Sequence, residues 1–241
     1  NNNMSFLILV RHGQSIWNLE KRFTGWVDVD LTENGKLEAK KAGELIKKIN
    51  IKIDTYYSSL QLRAKNTLQI IQKILNEENK SFSKIWQLNE RHYGALTGLN
   101  KIETIKKIGE KKVHEFRRSW NIRPDPLEKE SPYHPNNIKT YKDLPKEIIP
   151  DTESLEDTYK RVTKFYEEVL KNDLKTKNIL VSAHGNSIRA LCKFLFKLNN
   201  EEISKLEIPT GNPLVLEIDN QYNIKNCKYL DQERAKDLLV F

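Results

Sequence analysis

Two segments of the chain each place a histidine and a glycine directly after an apolar run. The first is ILVRHGQS at residues 8–15, and the second is ILVSAHGNS at residues 179–187. Such runs are typical of strands buried on both faces of a parallel sheet, and ligands bind beyond the carboxyl ends of those strands. We therefore expect His12 and His184 to face one another at one edge of a sheet, with the glycine after each allowing a tight turn.

Cationic groups accompany these histidines. Arg11 precedes His12, Arg63 lies at the start of a predicted helix, and Asn186 begins another helix, whose N-terminus attracts anions. A guanidinium group binds two phosphate oxygens at once. Because nearby positive charge disfavours protonation of imidazole, we expect His12 to be neutral and nucleophilic near neutral pH. These residues together predict a phosphate site.

Two further segments carry charged groups of less specific meaning. LNERHYGALTGLNK, at residues 88–101, contains Glu90. A carboxylate beside a phosphate site can transfer protons, although this segment alone fits a surface ion pair equally well. FRRSWNIRPDP, at residues 116–126, suits a polyanionic ligand, an RNA or a protein partner. Its guanidinium groups belong to Arg117, Arg118 and Arg123.

Alternating strands and helices must position these groups. The apolar patterns predict strands at 6–10, 54–59, 84–88, 178–183 and 213–219. They predict helices at 32–49, 61–75, 101–116, 154–171 and 186–198, with a cap at Thr32 and a capping box at Ser154 and Asp157. The proline-rich region 90–150 interrupts the alternation and is predicted to be an irregular insertion. The pattern predicts an α/β three-layer sandwich with a mostly parallel central sheet flanked by helices.

Composition limits the remaining classes of function. The 241 residues include 41 lysines and arginines against 33 acidic residues, and the lysines are spread among glutamates rather than clustered. No aromatic-studded basic stretch favours nucleic-acid binding, and no HExxH or Cys/His spacing favours a metal site. Two cysteines outside any CxxC motif, with no apolar run long enough to cross a bilayer and no secretory signal, predict a cytoplasmic protein.

Several motifs resemble those of the cofactor-dependent phosphoglycerate mutases of the histidine phosphatase superfamily. They are RHGQS, FTGW, LNERHYG, GLNK, RRSW, AHGNSIRAL and IPTGNPLVLE, and they occur in the same order through most of residues 7–219. The resemblance implies one mutase-like domain over residues 4–241, with residues 1–3 a leader or an added remnant. It implies interconversion of 3-phosphoglycerate and 2-phosphoglycerate in glycolysis and gluconeogenesis, primed by 2,3-bisphosphoglycerate, without a metal, and in a homodimer or homotetramer.

The resemblance also implies a role for each matching residue. His12 resembles the residue that becomes phosphorylated, and His184 resembles the partner that steadies the phosphoryl oxygens. Arg11 and Arg63 resemble the other members of the phosphate pocket, and Glu90 resembles the proton donor and acceptor for the substrate hydroxyl. The remaining residues resemble pocket and substrate contacts: Asn18, Thr24, Gly25, Tyr93, Lys101, Arg117, Arg118, Gly185 and Asn186.

Other functions fit the same residues. A phosphohistidine phosphatase would pass the phosphoryl group to water, and a bisphosphoglycerate synthase or phosphatase would use the same site with a different balance of activities. A binding protein without chemistry would use only the basic surface, but it would have no need for His12, Arg11, Glu90 and His184 together.

Overall fold

A six-stranded mixed sheet lies at the centre of the protein. The structure, a computed structural model, describes residues 4–235. The predicted leader at 1–3 and the last six residues of the predicted domain therefore lie outside the described residues. The strands are β1 (Ser5–Arg11), β2 (Thr55–Ser58), β3 (Ser83–Lys84), β4 (Ile179–Ala183), β5 (Leu214–Ile218) and β6 (Ile224–Tyr229).

The strand order brings the two histidine-bearing strands side by side. The order is β3-β2-β4-β1-β5-β6, in which the first four strands are parallel and the last two are antiparallel to their neighbours. In the register of β1 and β4, Leu7 lies opposite Ile179 and Arg11 lies opposite Ala183. Both strands therefore end at the same level, and the residues that follow them meet at one edge.

Helices cover both faces of the sheet. The principal ones are α1 (Ile16–Leu19), α2 (Glu33–Lys48), α3 (Leu62–Ile74), α4 (Lys101–Ile108), α5 (Glu110–Arg118), α6 (Leu155–Phe165), α7 (Lys171–Asp173), α8 (Gly185–Phe196) and α9 (Asn200–Lys205). A single π-helical turn at Tyr166–Leu170 connects α6 to α7.

The alternation of side chains along β1 creates two separate cores. Leu7 and Leu9 belong to a core that includes residues of α6 and α8. Ile8 and Val10 belong to the opposite core, which includes residues of α2 and α3. Every one of these four side chains is buried, as expected for a strand covered on both faces. The predicted three-layer α/β architecture is therefore confirmed.

Most of the predicted elements are present, with caps where the sequence indicates them. The Thr32 side chain accepts from the amide of Gly35 at the start of α2, and Ser154 and Asp157 form a capping box at the start of α6. The helix predicted at 101–116 is instead two helices, because Gly109 has a φ of 94° between them.

Three further details correct the sequence prediction. The strand predicted at 84–88 is a two-residue strand followed by a turn of 3₁₀-helix at Trp86–Leu88. β6 and α9 have no predicted counterpart. Their sequences are short and largely polar, so their apolar periodicity is weak.

The region predicted to be irregular contains short helices and several 3₁₀ turns. Within 90–150, α4 and α5 are followed by single 3₁₀ turns at Pro135–Asn137, Lys139–Tyr141 and Lys146–Ile148. None of the helices in residues 4–235 is long and apolar enough to cross a membrane.

Candidate active site

The two predicted histidines lie together at the carboxyl edge of the sheet. The amide of His12 donates to the carbonyl of Ala183 at 3.1 Å, which continues the β1–β4 pairing by one residue. The ring centroids of His12 and His184 are 5.0 Å apart, and both rings are buried. The parallel pairing of β1 and β4 thus joins two histidines that are 172 positions apart in the chain.

The surroundings of His12 leave one of its ring nitrogens with a free lone pair. Nδ1 lies 2.6 Å from the carbonyl oxygen of Gly13, which can only accept, so we assign the ring proton to Nδ1. Burial, and then the positive charges of Arg63 and Arg11, hold the pKa of His12 well below its ordinary value. The ring is therefore neutral at neutral pH, and Nε2 keeps its lone pair.

His184 is also buried and neutral. Burial first, and then the charge of Arg63, holds its pKa well below the ordinary value. Nε2 lies 2.7 Å from the hydroxyl oxygen of Ser59, while the buried Nδ1 has no hydrogen-bond partner among residues 4–235.

Two guanidinium groups are fixed beside the histidines by backbone carbonyls. Arg11 donates through Nη1 to Ile208 at 2.7 Å, and Arg63 donates to the carbonyls of Val27 at 3.0 Å and Gly25 at 2.9 Å. Burial lowers the pKa of both groups, but a guanidinium remains charged in proteins. Fixed positive charge therefore faces the histidine edge without needing to reorganise when an anion arrives.

Two glycines permit the backbone to approach this closely. A Cβ on Gly13 would overlap the carbonyl of Gly35, because the two glycine segments pack directly against each other. Gly25 has a φ of +53°, which favours glycine, and its carbonyl accepts from both Arg63 and Gln61.

A cavity of about 370 Å³ opens in front of His12. All the predicted site residues line it except His184, which contacts His12. Four residues that the sequence analysis did not select also line it: Arg189, Glu207, Ile208 and Pro209.

Glu90 is placed in this cavity by the loop after β3 and by the start of α8. It is 9% exposed, and its Oε1 accepts from the amides of Arg91 at 2.8 Å and Asn186 at 3.2 Å. The side-chain amide of Asn186 donates to the hydroxyl oxygen of Tyr93 at 3.0 Å. Both bonds to Glu90 use Oε1, so within the described part of the chain Oε2 accepts no hydrogen bond.

A second group of cations, here called the cationic end, also lines the cavity. Lys101, Arg117 and Arg118 line it from α4 and α5. Burial, and then the charge of Arg117, lowers the pKa of Lys101 to about 8. Arg118 forms an ion pair of 2.7 Å with Glu207. The third arginine of the same sequence segment, Arg123, lies outside the cavity.

Arg123 instead forms a two-point contact with the carboxylate of Asp157 at 2.6 Å, and its side chain is 60% exposed. Within residues 4–235, no group of three or more histidine, cysteine or carboxylate side chains is arranged to hold a metal ion.

A family comparison agrees with this arrangement. The model of the histidine phosphatase superfamily (branch 1) matches residues 7–227, which include His12, His184, Arg11 and Arg63. The chain belongs to the histidine phosphatase superfamily. In this chain His-Gly follows directly after both β1 and β4, which are neighbours in the sheet.

Curated relatives cover nearly the whole chain. A protein of Pelagibacter ubique named 2,3-bisphosphoglycerate-dependent phosphoglycerate mutase is 68% identical over 99% of this chain and 100% of its own length. A protein of the same name from a Hydrogenobaculum species is 46% identical over 97% of this chain and 95% of its own length. Another, from a Caulobacter species, is 48% identical over 98% of this chain and 98% of its own length.

Two solved structures share the fold. The α-ribazole phosphatase of Shigella flexneri aligns with a TM-score of 0.66 at 18% identity, over 90% of this chain and 92% of its own. A mycobacterial glucosyl-3-phosphoglycerate phosphatase aligns with a TM-score of 0.67 at 19% identity, over 94% and 97% respectively.

The four additional cavity residues had weak signals in the sequence. Arg189 lies one helical turn after Asn186 and donates to its Oδ1 at 2.8 Å, so the i,i+3 spacing could have indicated it. Burial lowers the pKa of Arg189 to about 9, which leaves it charged at neutral pH. Glu207, Ile208 and Pro209 precede and begin the IPTG motif, but nothing in the sequence places that motif at the cavity mouth.

Proposed function

We propose that the chain is a 2,3-bisphosphoglycerate-dependent phosphoglycerate mutase that interconverts 3-phosphoglycerate and 2-phosphoglycerate through a phosphohistidine. The observation that carries the proposal is one cavity holding a neutral buried histidine, a carboxylate and a separate cationic end. A phosphatase needs only the histidine end, whereas a mutase must hold a second anionic group while the phosphoryl group moves. The relatives that bear this name match over nearly the whole chain.

The cavity suits a small polyanion. Six cationic side chains line it, against the carboxylates of Glu90 and Glu207. The cationic ones are Arg11, Arg63, Lys101, Arg117, Arg118 and Arg189. A bisphosphoglycerate carries two phosphoryl groups and a carboxylate, so it matches cations placed at both ends. When bound, it supplies the phosphoryl group that primes the enzyme.

His12 is the nucleophile of the proposed transfer. Its Nε2 lone pair attacks phosphorus, a nitrogen–phosphorus bond forms, and the bond from phosphorus to the glycerate oxygen breaks. Glu90 gives a proton to that oxygen, which leaves as a hydroxyl group. The Gly13 carbonyl keeps the Nδ1 proton in place, so the ring bears the positive charge of the intermediate in a fixed orientation.

The return step uses the same groups in reverse. A substrate hydroxyl gives its proton to Glu90 and attacks phosphorus, the nitrogen–phosphorus bond breaks, and His12 regains its neutral ring. His184, Arg11 and Arg63 stabilise the charge that spreads over the phosphoryl oxygens, because they are already in position and shielded from water. Positioning and fixed charge therefore supply most of the catalysis.

The remaining predicted residues hold the substrate. We propose that Arg117, Arg118 and Lys101 bind its distal phosphate or carboxylate, at the cationic end. The other proposed contacts also line the cavity: Asn18, Thr24, Gly25, Tyr93, Gly185 and Asn186. Reorientation of the intermediate bisphosphate between the two ends exchanges the 2- and 3-positions.

The proposal extends to metal independence, assembly and compartment. Guanidinium and imidazole groups supply the positive charge, so we propose that a chelator leaves the activity unchanged. We also propose a homodimer or homotetramer in the cytoplasm, without a nucleic-acid partner, because symmetric assembly is the usual pattern of homo-oligomers. Sedimentation of the purified protein measures the assembly.

An enolase-coupled assay tests the function. Conversion of 3-phosphoglycerate to 2-phosphoglycerate is measured with and without 2,3-bisphosphoglycerate, after the mutase has been treated with a chelator. Strong stimulation by the bisphosphate, absent in His12→Ala, is the expected result. Slow release of phosphate without conversion would instead assign the chain to the phosphatases.

A further inference from the structure

A buried ion pair lies beside the active site without lining it. Arg161, on α6, and Glu153, just before that helix, are 8% and 5% exposed. Arg161 Nε donates to Glu153 Oε2 and Nη2 donates to Oε1, each at 2.9 Å. Burying two charges costs free energy that the attraction between them often fails to recover, so such a pair is weak evidence of a role in stability.

The rest of the Arg161 guanidinium is used to hold the loop that carries Glu90. Nη1 donates to the carbonyls of Gln87 at 2.7 Å and Asn89 at 2.8 Å, and Nη2 donates to the carbonyl of Glu90 itself at 2.9 Å. With the two bonds to Glu153, all five guanidinium hydrogens have acceptors. A planar fork can satisfy this arrangement, whereas an ammonium group has only three hydrogens.

Glu153 holds the same loop from the other side of Glu90. Its Oε1 accepts from the amide of His92 at 2.9 Å, and its backbone carbonyl accepts from Arg91 Nε at 2.9 Å. The ion pair therefore binds backbone groups before, at and after Glu90. The Glu90 carboxylate itself has only the amides of Arg91 and Asn186 as hydrogen-bond donors among the described residues.

We propose that Arg161 and Glu153 are positioning residues that hold the Glu90 carboxylate where it can exchange a proton with the substrate hydroxyl. The proposal rests on the function proposed above. Glu90 belongs to a loop rather than to the sheet, so its backbone has no strand partners to fix it. The ion pair takes the place of those partners, and Asn186 then sets the carboxylate relative to the histidine edge.

Arg161→Lys is the principal test variant. It keeps the charge but removes the fork, so at least two of the five hydrogen bonds made by Arg161 are lost. A displacement of about 1 Å at a reacting group costs roughly 100-fold in rate. We expect kcat for the mutase reaction to fall by about that factor, with a much smaller change in KM, because the cationic end of the cavity is not touched.

A comparison of two substrates with different leaving groups distinguishes displacement of Glu90 from general damage to the active site. The glycerate oxygen must be protonated as it leaves, whereas an aryl phosphate with a nitro-substituted ring releases a stable anion that needs no proton. Arg161→Lys should therefore lower turnover of phosphoglycerate far more than phosphorylation of His12 by the aryl phosphate. Equal losses with both substrates would overturn the proposal.

A double-mutant cycle with Glu90→Gln gives a second, independent readout. If Arg161 acts through Glu90, Arg161→Lys causes no further loss of mutase turnover when Glu90 is already glutamine. If the loss of turnover in the double variant equals the product of the two single-variant losses, Arg161 acts elsewhere, and this result would also overturn the proposal.

Two more variants protect the test against misfolding. Val162→Ala removes a buried side chain from the next position of α6, so it should lower Tm while leaving kcat nearly unchanged. Glu153→Gln keeps an oxygen for the His92 amide and is the milder change, with the same pattern expected at a smaller loss.

If wild-type protein shows no bisphosphate-stimulated mutase activity, the proposed function fails. If it does, and Arg161→Lys and Glu153→Gln match the Val162→Ala control in kcat, only the positioning role fails.

Discussion

The two ends of the cavity are built in different ways. At the histidine end, His12, His184 and Arg63 follow strands or begin a helix, and each is at most 2% exposed. At the cationic end, Lys101, Arg117 and Arg118 belong to the short helices of the insertion, and all three are partly exposed. The difference indicates a rigid end for phosphoryl transfer and an adjustable end for recognition of the rest of the substrate.

Hydrogen bonding supports the same contrast. Arg63 donates to two backbone carbonyls, which cannot move without moving the chain. Arg118 instead pairs with the carboxylate of Glu207, a side chain that is 58% exposed. Pairs of exposed charges contribute little to stability and exchange readily with other ions. Variants at the rigid end should therefore change kcat, and variants at the other end should change KM.

His184→Ala should have the largest effect among these variants. It removes a buried imidazole beside His12, and loss of one preorganised donor costs roughly 100- to 1000-fold in kcat. Coupled assays of the variant and of His114→Ala, an exposed histidine on α5, measure the difference. Near-normal turnover of His184→Ala would contradict the role proposed for the histidine pair.

Arg117→Gln should act on substrate binding instead. A hydrogen bond to a charged group contributes about 1.5–3 kcal/mol, so KM for 3-phosphoglycerate should rise roughly 10- to 100-fold with little change in kcat. Arg123→Gln is the matched control, because Arg123 pairs with Asp157 outside the cavity. A fall in kcat at unchanged KM would place Arg117 at the reacting group and remove the contrast between the two ends.

The pH dependence of substrate capture should reveal Lys101. Its pKa is lowered to about 8, so the side chain is charged below that pH and becomes neutral above it in the free enzyme. An anionic substrate prefers the charged form, and kcat/KM should fall above pH 8, at most about tenfold per pH unit. Lys101→Arg should move this decline to higher pH. An unchanged pH profile in Lys101→Arg would assign the decline to another group.

Glu207→Gln should have the smallest effect and the opposite sign. In the free protein the Glu207 carboxylate occupies Arg118, and an incoming anionic group must displace it. Removing that competitor should lower KM about two- to fivefold, in keeping with the small free energy of an ion pair whose carboxylate is 58% exposed. Glu201→Gln, which breaks an exposed pair with Lys205 on α9, is the control. A higher KM in Glu207→Gln would show that Glu207 orders Arg118 for the substrate.

The sequence by itself determined the fold class and indicated most of the residues that line the cavity. The apolar runs at β1 and β4 end directly before the histidine segments, and burial on both faces follows from their composition. Because parallel strands end at a common edge, adjacent motifs in the sequence become adjacent groups in space. The caps of α2 and α6 were equally local, since each depends on residues three positions apart.

Only the tertiary structure decided the contacts that hold those residues in place. Ser59 beside His184, Glu207 beside Arg118, and Arg161 behind Glu90 each come from a part of the chain remote from its partner. Their residue types are ordinary, and no periodicity marks them. Their effect depends on burial and on hydrogen bonds formed across elements, which are properties of the packed molecule rather than of any one segment.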